Sequence, residues 1–92
     1  MANTRRPRQV SGSFITRQVE DELLILDQDN EKVHQLNSTA CKVWHACDGD
    51  NTVDRIITLM REQFDVDEQR LEADVRAVLN DLAALELIEY AE

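Results

Sequence analysis

The chain has 92 residues, of which 42% are hydrophobic and only 4% aromatic, so it has room for one domain with a core built mainly from Leu, Ile and Val. Its 19 acidic and 10 basic residues give a net charge of −9, and Arg5, Arg6, Arg8 and Arg17 all precede the first acidic residue, Glu20. The remaining body is therefore strongly acidic, which argues against nucleic acid and anionic membranes as partners and favours a peptide or protein partner. Because no apolar run is long enough for a membrane span and no apolar stretch follows the basic N-terminus as in a secretory signal, we expect a cytoplasmic protein.

Residues 1–11 contain the only proline, three arginines and few apolar residues. We expect them to form a flexible basic arm without regular structure, followed by a domain over residues 12–92. Phe14, Ile15 and Val19 suit a short first strand. Glu22–Leu26 and Lys32–Leu36, which are separated by a polar turn at 27–30, predict a hairpin.

The rest of the chain predicts three helices. Asn37 or Ser38 caps a helix that runs to Cys47, and Gly49 supplies the left-handed conformation that ends it. Thr52 caps a second helix, and its apolar stripe comprises Val53, Ile56, Ile57, Met60 and Phe64. Asp67 caps the third helix, which runs to about Leu85 and has an inner face of Leu71, Val75, Val78, Leu79, Leu82 and Leu85. Residues 87–90 are β-prone and suit a short wing strand.

Catalysis is not indicated, because the sequence has no phosphate-binding glycine loop and no Ser-His-Asp order. Cys41 and His45 have i, i+4 spacing, but further metal ligands are missing. Gly49 comes too early for a calcium loop built on Asp48, Asp50 and Asp54, and no Glu stands at the twelfth position. Cys41 and Cys47 lie about 9 Å apart by helical rise, too far for a disulfide. We expect neither cofactor nor metal, and reduced thiols.

Several segments together resemble the PqqD-like family, small peptide-recognition proteins named for pyrroloquinoline quinone biosynthesis. The resemblance covers most of the chain and rests on the order and spacing of these segments: 23–27, 33–36, Leu36-Asn37-Ser38-Thr39-Ala40, Trp44, Cys47-Asp48-Gly49, Thr52, Ile56, Asp74-Val75, Leu79, Leu82 and Leu87-Ile88. Two features depart from the family pattern. Members often have Gly where this chain has Glu86, and the arginine-rich arm is not shared.

The resemblance implies an α+β, winged helix-turn-helix-like fold with a three-stranded antiparallel sheet and three helices. It implies a non-catalytic protein that captures the leader of a ribosomally made precursor peptide and presents it to a radical, cyclising or proteolytic enzyme. In the family the leader adds a strand to the third strand and lies beside the third helix. These elements are the 32–36 strand and the 68–81 helix face here.

The residues themselves support such a site. An edge strand at 32–36 offers unpaired backbone groups to an extended peptide, and on it Val33 and Gln35 face one way while Lys32, His34 and Leu36 face the other. On the helix, Arg70, Asp74, Ala77 and Asp81 form one stripe with Ala73 beside it. The small alanines leave room for apolar leader side chains, and Arg70 and Asp74 can form ion pairs with charged ones.

Other interpretations stay open at this stage. The strand can be an edge blunted by Lys32 without a partner, the helix stripe can be an ordinary solvated face, and His34 can be a pH-sensitive contact or simple surface. A DNA-binding winged helix is disfavoured because acidic residues outnumber basic ones over 67–86. An assembly adaptor that binds no peptide is a third possibility. The chain can be a monomer or a strand-exchanged dimer, which would cover the edge.

Overall fold

The computed structural model describes residues 5–12, 14–64 and 67–90. A three-stranded antiparallel sheet precedes three helices, and a two-stranded sheet joins the two ends of the described chain. The elements in chain order are β1 (Pro7–Gln9), β2 (Phe14–Val19), β3 (Glu22–Asp27), β4 (Lys32–Leu36), α1 (Ser38–Ala46), α2 (Val53–Gln63), α3 (Glu68–Ala84) and β5 (Ile88–Tyr90). The predicted α+β class is confirmed.

The three-stranded sheet has the order β2-β3-β4, and each strand alternates between a face toward the helices and an outer face. Leu23, Ile25 and Leu36 point inward and are buried. On the outer face, register places Ile15 opposite Leu26 and Leu26 opposite Val33. These three side chains are 51%, 36% and 64% exposed, so an apolar row crosses the outer face and ends at β4.

The helix starts follow the predicted capping residues. The Asn37 side-chain oxygen accepts the Ala40 N–H at 2.9 Å, and the Thr52 hydroxyl oxygen accepts the Arg55 N–H at 3.1 Å. The Asp67 carboxylate accepts the Arg70 N–H at 3.3 Å. Gly49 is left-handed as predicted, with φ +85°, but it does not end α1, because Cys47 is the C-cap and Gly49 lies two residues further on in the loop. Local hydrogen bonding thus fixes where each helix begins.

One core holds the sheet and the helices together. It includes Ile25 of β3, Val43 and Trp44 of α1, Ile56 of α2 and Val75 of α3, each at most 9% exposed. The predicted inner face of α3 is correct for its buried members, which are Leu71, Val75, Leu79 and Leu82. It is wrong for Leu85, which is 46% exposed, while Val78 is half-buried. None of the described helices is long and apolar enough to cross a membrane.

The basic arm differs from expectation over residues 5–10. We expected no regular structure, but β1 pairs antiparallel with β5, and Pro7 is fully buried. The Gln9 N–H donates to the Cys47 carbonyl at 3.1 Å, and the Gly49 N–H donates to the Pro7 carbonyl at 3.0 Å. The segment is therefore bonded to the α1–α2 loop as well as to the wing. Residues 1–4 of the predicted arm lie outside the described residues.

The end of α3 is closed by two backbone hydrogen bonds. The Leu87 N–H donates to the Leu82 carbonyl at 2.9 Å, and the Glu86 N–H donates to the Ala83 carbonyl at 3.0 Å. This pair of bonds is the Schellman motif, which requires a left-handed residue after the helix. Glu86 fills that position with φ +60°. The departure from the family's glycine therefore falls at a backbone position that favours glycine.

Candidate functional site

β4 is an edge strand of the three-stranded sheet. Its one pairing partner among the described residues is β3, with Leu23 opposite Leu36 and Asp27 opposite Lys32. Half of the backbone N–H and C=O groups of such a strand point away from the sheet. β4 therefore offers a template on which an extended chain can add a strand.

Three adjoining cavities follow the space between β4 and α3, and we call them together the β4–α3 groove. The Lys32 cavity, of about 280 Å³, is lined by Asp27, Asn30, Lys32, His34, Ala84, Leu85 and Glu86. The Leu36 cavity, of about 230 Å³, is lined by Gln35, Leu36, Asn37, Ala40, Val78, Asp81, Leu82 and Leu85. The Asp74 cavity, of about 270 Å³, is lined by Asn37, Thr39, Asp74, Ala77, Val78 and Asp81. Neighbouring cavities share residues, so the groove is continuous.

Most of the predicted site residues come together in this groove. From β4, Lys32 and His34 line the Lys32 cavity, and Gln35 and Leu36 line the Leu36 cavity. From α3, Asp74, Ala77 and Asp81 line the Asp74 cavity.

Three predicted site residues lie outside the lining of these cavities. Val33 is on the outer face of the sheet. Arg70 and Ala73 are exposed on the preceding turn of α3, where the Arg70 Nε atom is 4.0 Å from a carboxylate oxygen of Asp74.

The groove also contains residues that the sequence reasoning did not select. Val78 and Leu85 were assigned to the core, yet both line the groove, and Asn37 and Thr39 contribute from the start of α1. The sequence does contain a pattern that groups Val78 and Leu85 with the predicted residues Asp74 and Asp81. Positions 74, 78, 81 and 85 have the i, i+4, i+7, i+11 spacing of one helix face. That face lies closer to β4 than the predicted stripe does.

Carboxylates give the groove its charge. Asp27 is 6% exposed, and its two oxygens accept the Asn30 side-chain N–H at 2.7 Å and the Asn30 backbone N–H at 3.2 Å. The Asn30 side chain is the main reason that the pKa of Asp27 lies below its usual value. Asp27 is therefore a fixed negative charge at the Lys32 end, while Asp74 and Asp81 occupy the other end.

Among the described residues, the two cysteines lie in the core. Burial, with a smaller contribution from the Asp48 carboxylate, raises the pKa of the Cys47 thiol to about 12, and this thiol donates to the Val43 carbonyl. Both cysteines are buried and unbridged. Within the described ranges, no three His, Cys, Asp or Glu side chains come together as metal ligands. The groove offers backbone hydrogen bonds, an apolar centre and acidic ends.

Two solved structures share the fold. TbiB1, in a structure titled as its complex with the TbiA(beta) leader peptide, matches with a TM-score of 0.76 and 24% identity, over 91% of this chain and 99% of that chain. The heterocyclase TruD matches with a TM-score of 0.66 and 16% identity, over 95% of this chain but only 12% of that chain. No curated protein sequence matches significantly.

The family assignment comes from the sequence. The family model described as "Coenzyme PQQ synthesis protein D (PqqD)" matches residues 22–88, which span the sheet from β3 onward, all three helices and the first residue of β5. The match includes both walls of the groove. This chain therefore belongs to the PqqD family.

Proposed function

We propose that this protein is a non-catalytic recognition element that captures the leader of a ribosomally made precursor peptide by strand addition to β4. The observation that carries the proposal is the free edge of β4 beside a continuous groove. An extended peptide would satisfy the outward backbone groups of β4, and alternate side chains would enter the groove. TbiB1, which has the same fold, was solved with a leader peptide.

Each wall of the groove has a distinct part in this proposal. The β4 backbone from Lys32 to Leu36 supplies hydrogen bonds worth about 0.5–1.5 kcal/mol each, which are tolerant of sequence. Selectivity comes from α3, where Asp74, Ala77 and Asp81 face the inward side chains. Arg70 and Ala73 lie on the preceding turn of the helix, where a longer leader would reach them.

We further propose that the captured leader is presented to a modifying enzyme in the cytoplasm. A domain of this fold forms about an eighth of the heterocyclase TruD chain, so the fold occurs joined to a modifying enzyme. In the present chain, the described residues comprise the recognition fold alone. A separate enzyme of radical, cyclising or proteolytic type would then carry out the chemistry.

Amide NMR titration tests the location of the site. The probe is a synthetic leader whose sequence comes from the precursor encoded beside this gene. We expect saturable shifts at the β4 amides and along Asp74–Leu85, because these backbones form the two walls of the groove. Unmoved β4 amides at saturating leader, or equal shifts with a scrambled leader, would contradict the proposal.

A pair of variants tests the groove itself. Ala77→Trp places a large side chain into the Asp74 cavity from an exposed helix position, and we expect leader affinity to fall at least about tenfold. Gln69→Trp is the control, because Gln69 is exposed on the same helix and does not line the groove. Retained leader affinity in the folded Ala77→Trp protein would place the peptide elsewhere.

Strand addition has its own signature. In an added strand, the N–H groups of alternate residues point toward β4. Single N-methylation along the leader is therefore expected to weaken binding at every second position and to be tolerated in between. A uniform effect along the leader would exclude strand addition while leaving the groove as the site.

A further inference from the structure

The centre of the groove changes from apolar to acidic over a short distance. The Leu36 cavity is bounded mainly by Leu36, Val78, Leu82 and Leu85, whereas the Asp74 cavity has two carboxylates. Asp81 lines both cavities and therefore stands at the boundary. Within the part of the chain that the structure describes, no side chain forms an ion pair with Asp81.

The Asp74 end has no cation within its lining. Arg70 forms an ion pair with Asp74 from outside the lining, at 4.0 Å and with 79% of the Arg70 side chain exposed. Such an exposed pair contributes little and leaves Asp81 uncompensated. The Lys32 end differs, because Lys32 lies among the carboxylates of Asp27 and Glu86. The Asp74 end is therefore the more acidic of the two ends of the groove.

Strand geometry sets the spacing of the peptide side chains. Residues i and i+2 of an added strand face the same side and lie about 6.6–6.8 Å apart. The Leu36 and Asp74 cavities adjoin and share Asn37, Val78 and Asp81. The two cavities are therefore next to each other, which is the arrangement that two consecutive inward side chains of an added strand require.

We propose that the captured peptide carries a large apolar side chain for the Leu36 cavity and a Lys or Arg two positions away for the Asp74 cavity. This inference rests on the proposed strand addition and adds the chemical class of the peptide. The basic group pairs with Asp81 and Asp74, while the apolar side chain displaces water from Leu36, Val78 and Leu85. An acidic residue at the same position meets two like charges and is rejected.

Designed peptides test this pattern without knowledge of the natural leader. The probes are fluorescent Thr- and Ser-rich peptides with one Leu and, two positions before or after it, Lys, acetyl-lysine or Glu. We expect one of the two Lys peptides to bind about tenfold more tightly than its acetyl-lysine counterpart, and the Glu peptides to bind most weakly. Moving Lys to a neighbouring position, which turns it to the outer face, should abolish the preference.

Two variants test whether the preference for Lys over acetyl-lysine arises in the groove. Asp81→Asn is expected to reduce the advantage of Lys over acetyl-lysine to less than about threefold, while Glu62→Gln, an exposed acid on α2, leaves it intact. In the parent protein, added salt should likewise reduce the advantage of the Lys peptide over the acetyl-lysine peptide.

Equal binding of the Lys, acetyl-lysine and Glu peptides, or an unchanged preference in Asp81→Asn, would overturn the inference. Failure of every designed peptide while the natural leader still shifts the β4 amides would overturn it as well. In both cases strand addition would stand, because it is tested separately, by the leader titration and by the N-methylated leaders.

Discussion

Glu86 combines a strained backbone conformation with a side chain that lines the groove. Its backbone is left-handed, a conformation that costs a residue with a Cβ atom about 1–2 kcal/mol. The position is imposed by the two hydrogen bonds that close α3 and place Leu87 in the core. Its side chain meanwhile lines the Lys32 cavity beside Asp27. The residue therefore contributes charge to the groove at the expense of backbone strain.

Glu86→Gly is expected to stabilise the protein. Glycine removes the steric cost but loses more freedom on folding, about 0.5–1 kcal/mol, so the expected net gain in unfolding free energy is roughly 0.5–1 kcal/mol. Urea unfolding followed by circular dichroism measures it. Glu86→Ala is the control, because it removes the carboxylate and keeps the strain, and it should stay within about 0.5 kcal/mol of the parent protein. A less stable Glu86→Gly protein would show that the carboxylate matters more than the backbone.

At the level of elements, the β1–β5 pair connects the basic segment to the wing. Ile88 of β5 is 3% exposed and belongs to the core, whereas the adjacent Glu89 forms an exposed ion pair with Arg8 at 2.7 Å. Arg5 lies over the Tyr90 ring, with 3.6 Å between its guanidinium carbon and the ring centroid. We expect the burial of the Ile88 and Pro7 side chains to stabilise this pair of strands more than the surface charges do.

Two substitutions on β5 separate burial from charge. Ile88→Ala is expected to lower the unfolding free energy by about 2–5 kcal/mol, because it leaves a cavity in the core. Glu89→Ala on the same strand should cost less than about 1 kcal/mol, because both partners of its ion pair are solvated. Thermal and urea unfolding measure both variants. Equal losses would mean that the wing is held chiefly by its charges.

Local signals account for what was predictable in these elements. The helices were located from the capping residues Asn37, Thr52 and Asp67, whose hydrogen bonds reach only three residues ahead. β1 was not predicted, because its partner lies about 80 residues away and its own three residues include a proline and an arginine. The predicted groove face of α3 differs from the observed face for a similar reason. The periodicity permits several stripes, and only the tertiary arrangement selects the one that contains Val78 and Leu85, which borders the β4–α3 groove.

For the whole molecule, the distribution of charge argues against the DNA-binding alternative. The helix that would enter a major groove, α3, carries more acidic than basic residues, and the protein has a net charge of −9. Two arginines of the basic segment are engaged within the protein, because Arg8 pairs with Glu89 and Arg5 covers Tyr90. The acidic α3 therefore disfavours binding to phosphates, which requires a cationic surface.

We therefore expect no retardation of duplex DNA in a gel-shift assay at about 0.15 M salt, where surface charges are screened beyond about 8 Å. The leader complex provides the positive control for an active protein preparation. A shifted band that persists at this salt, for any duplex, would return the winged-helix regulator to consideration.

The register of the two-stranded sheet has one more consequence for how this fold can be used. Pro7 lies opposite Tyr90, so the polypeptide enters and leaves the folded unit side by side. A unit with neighbouring entry and exit points can be spliced into a surface loop of a host protein without stretching either junction. The same geometry allows the whole unit, with Arg5 kept in place over Tyr90, to be grafted as a single insert onto an unrelated carrier.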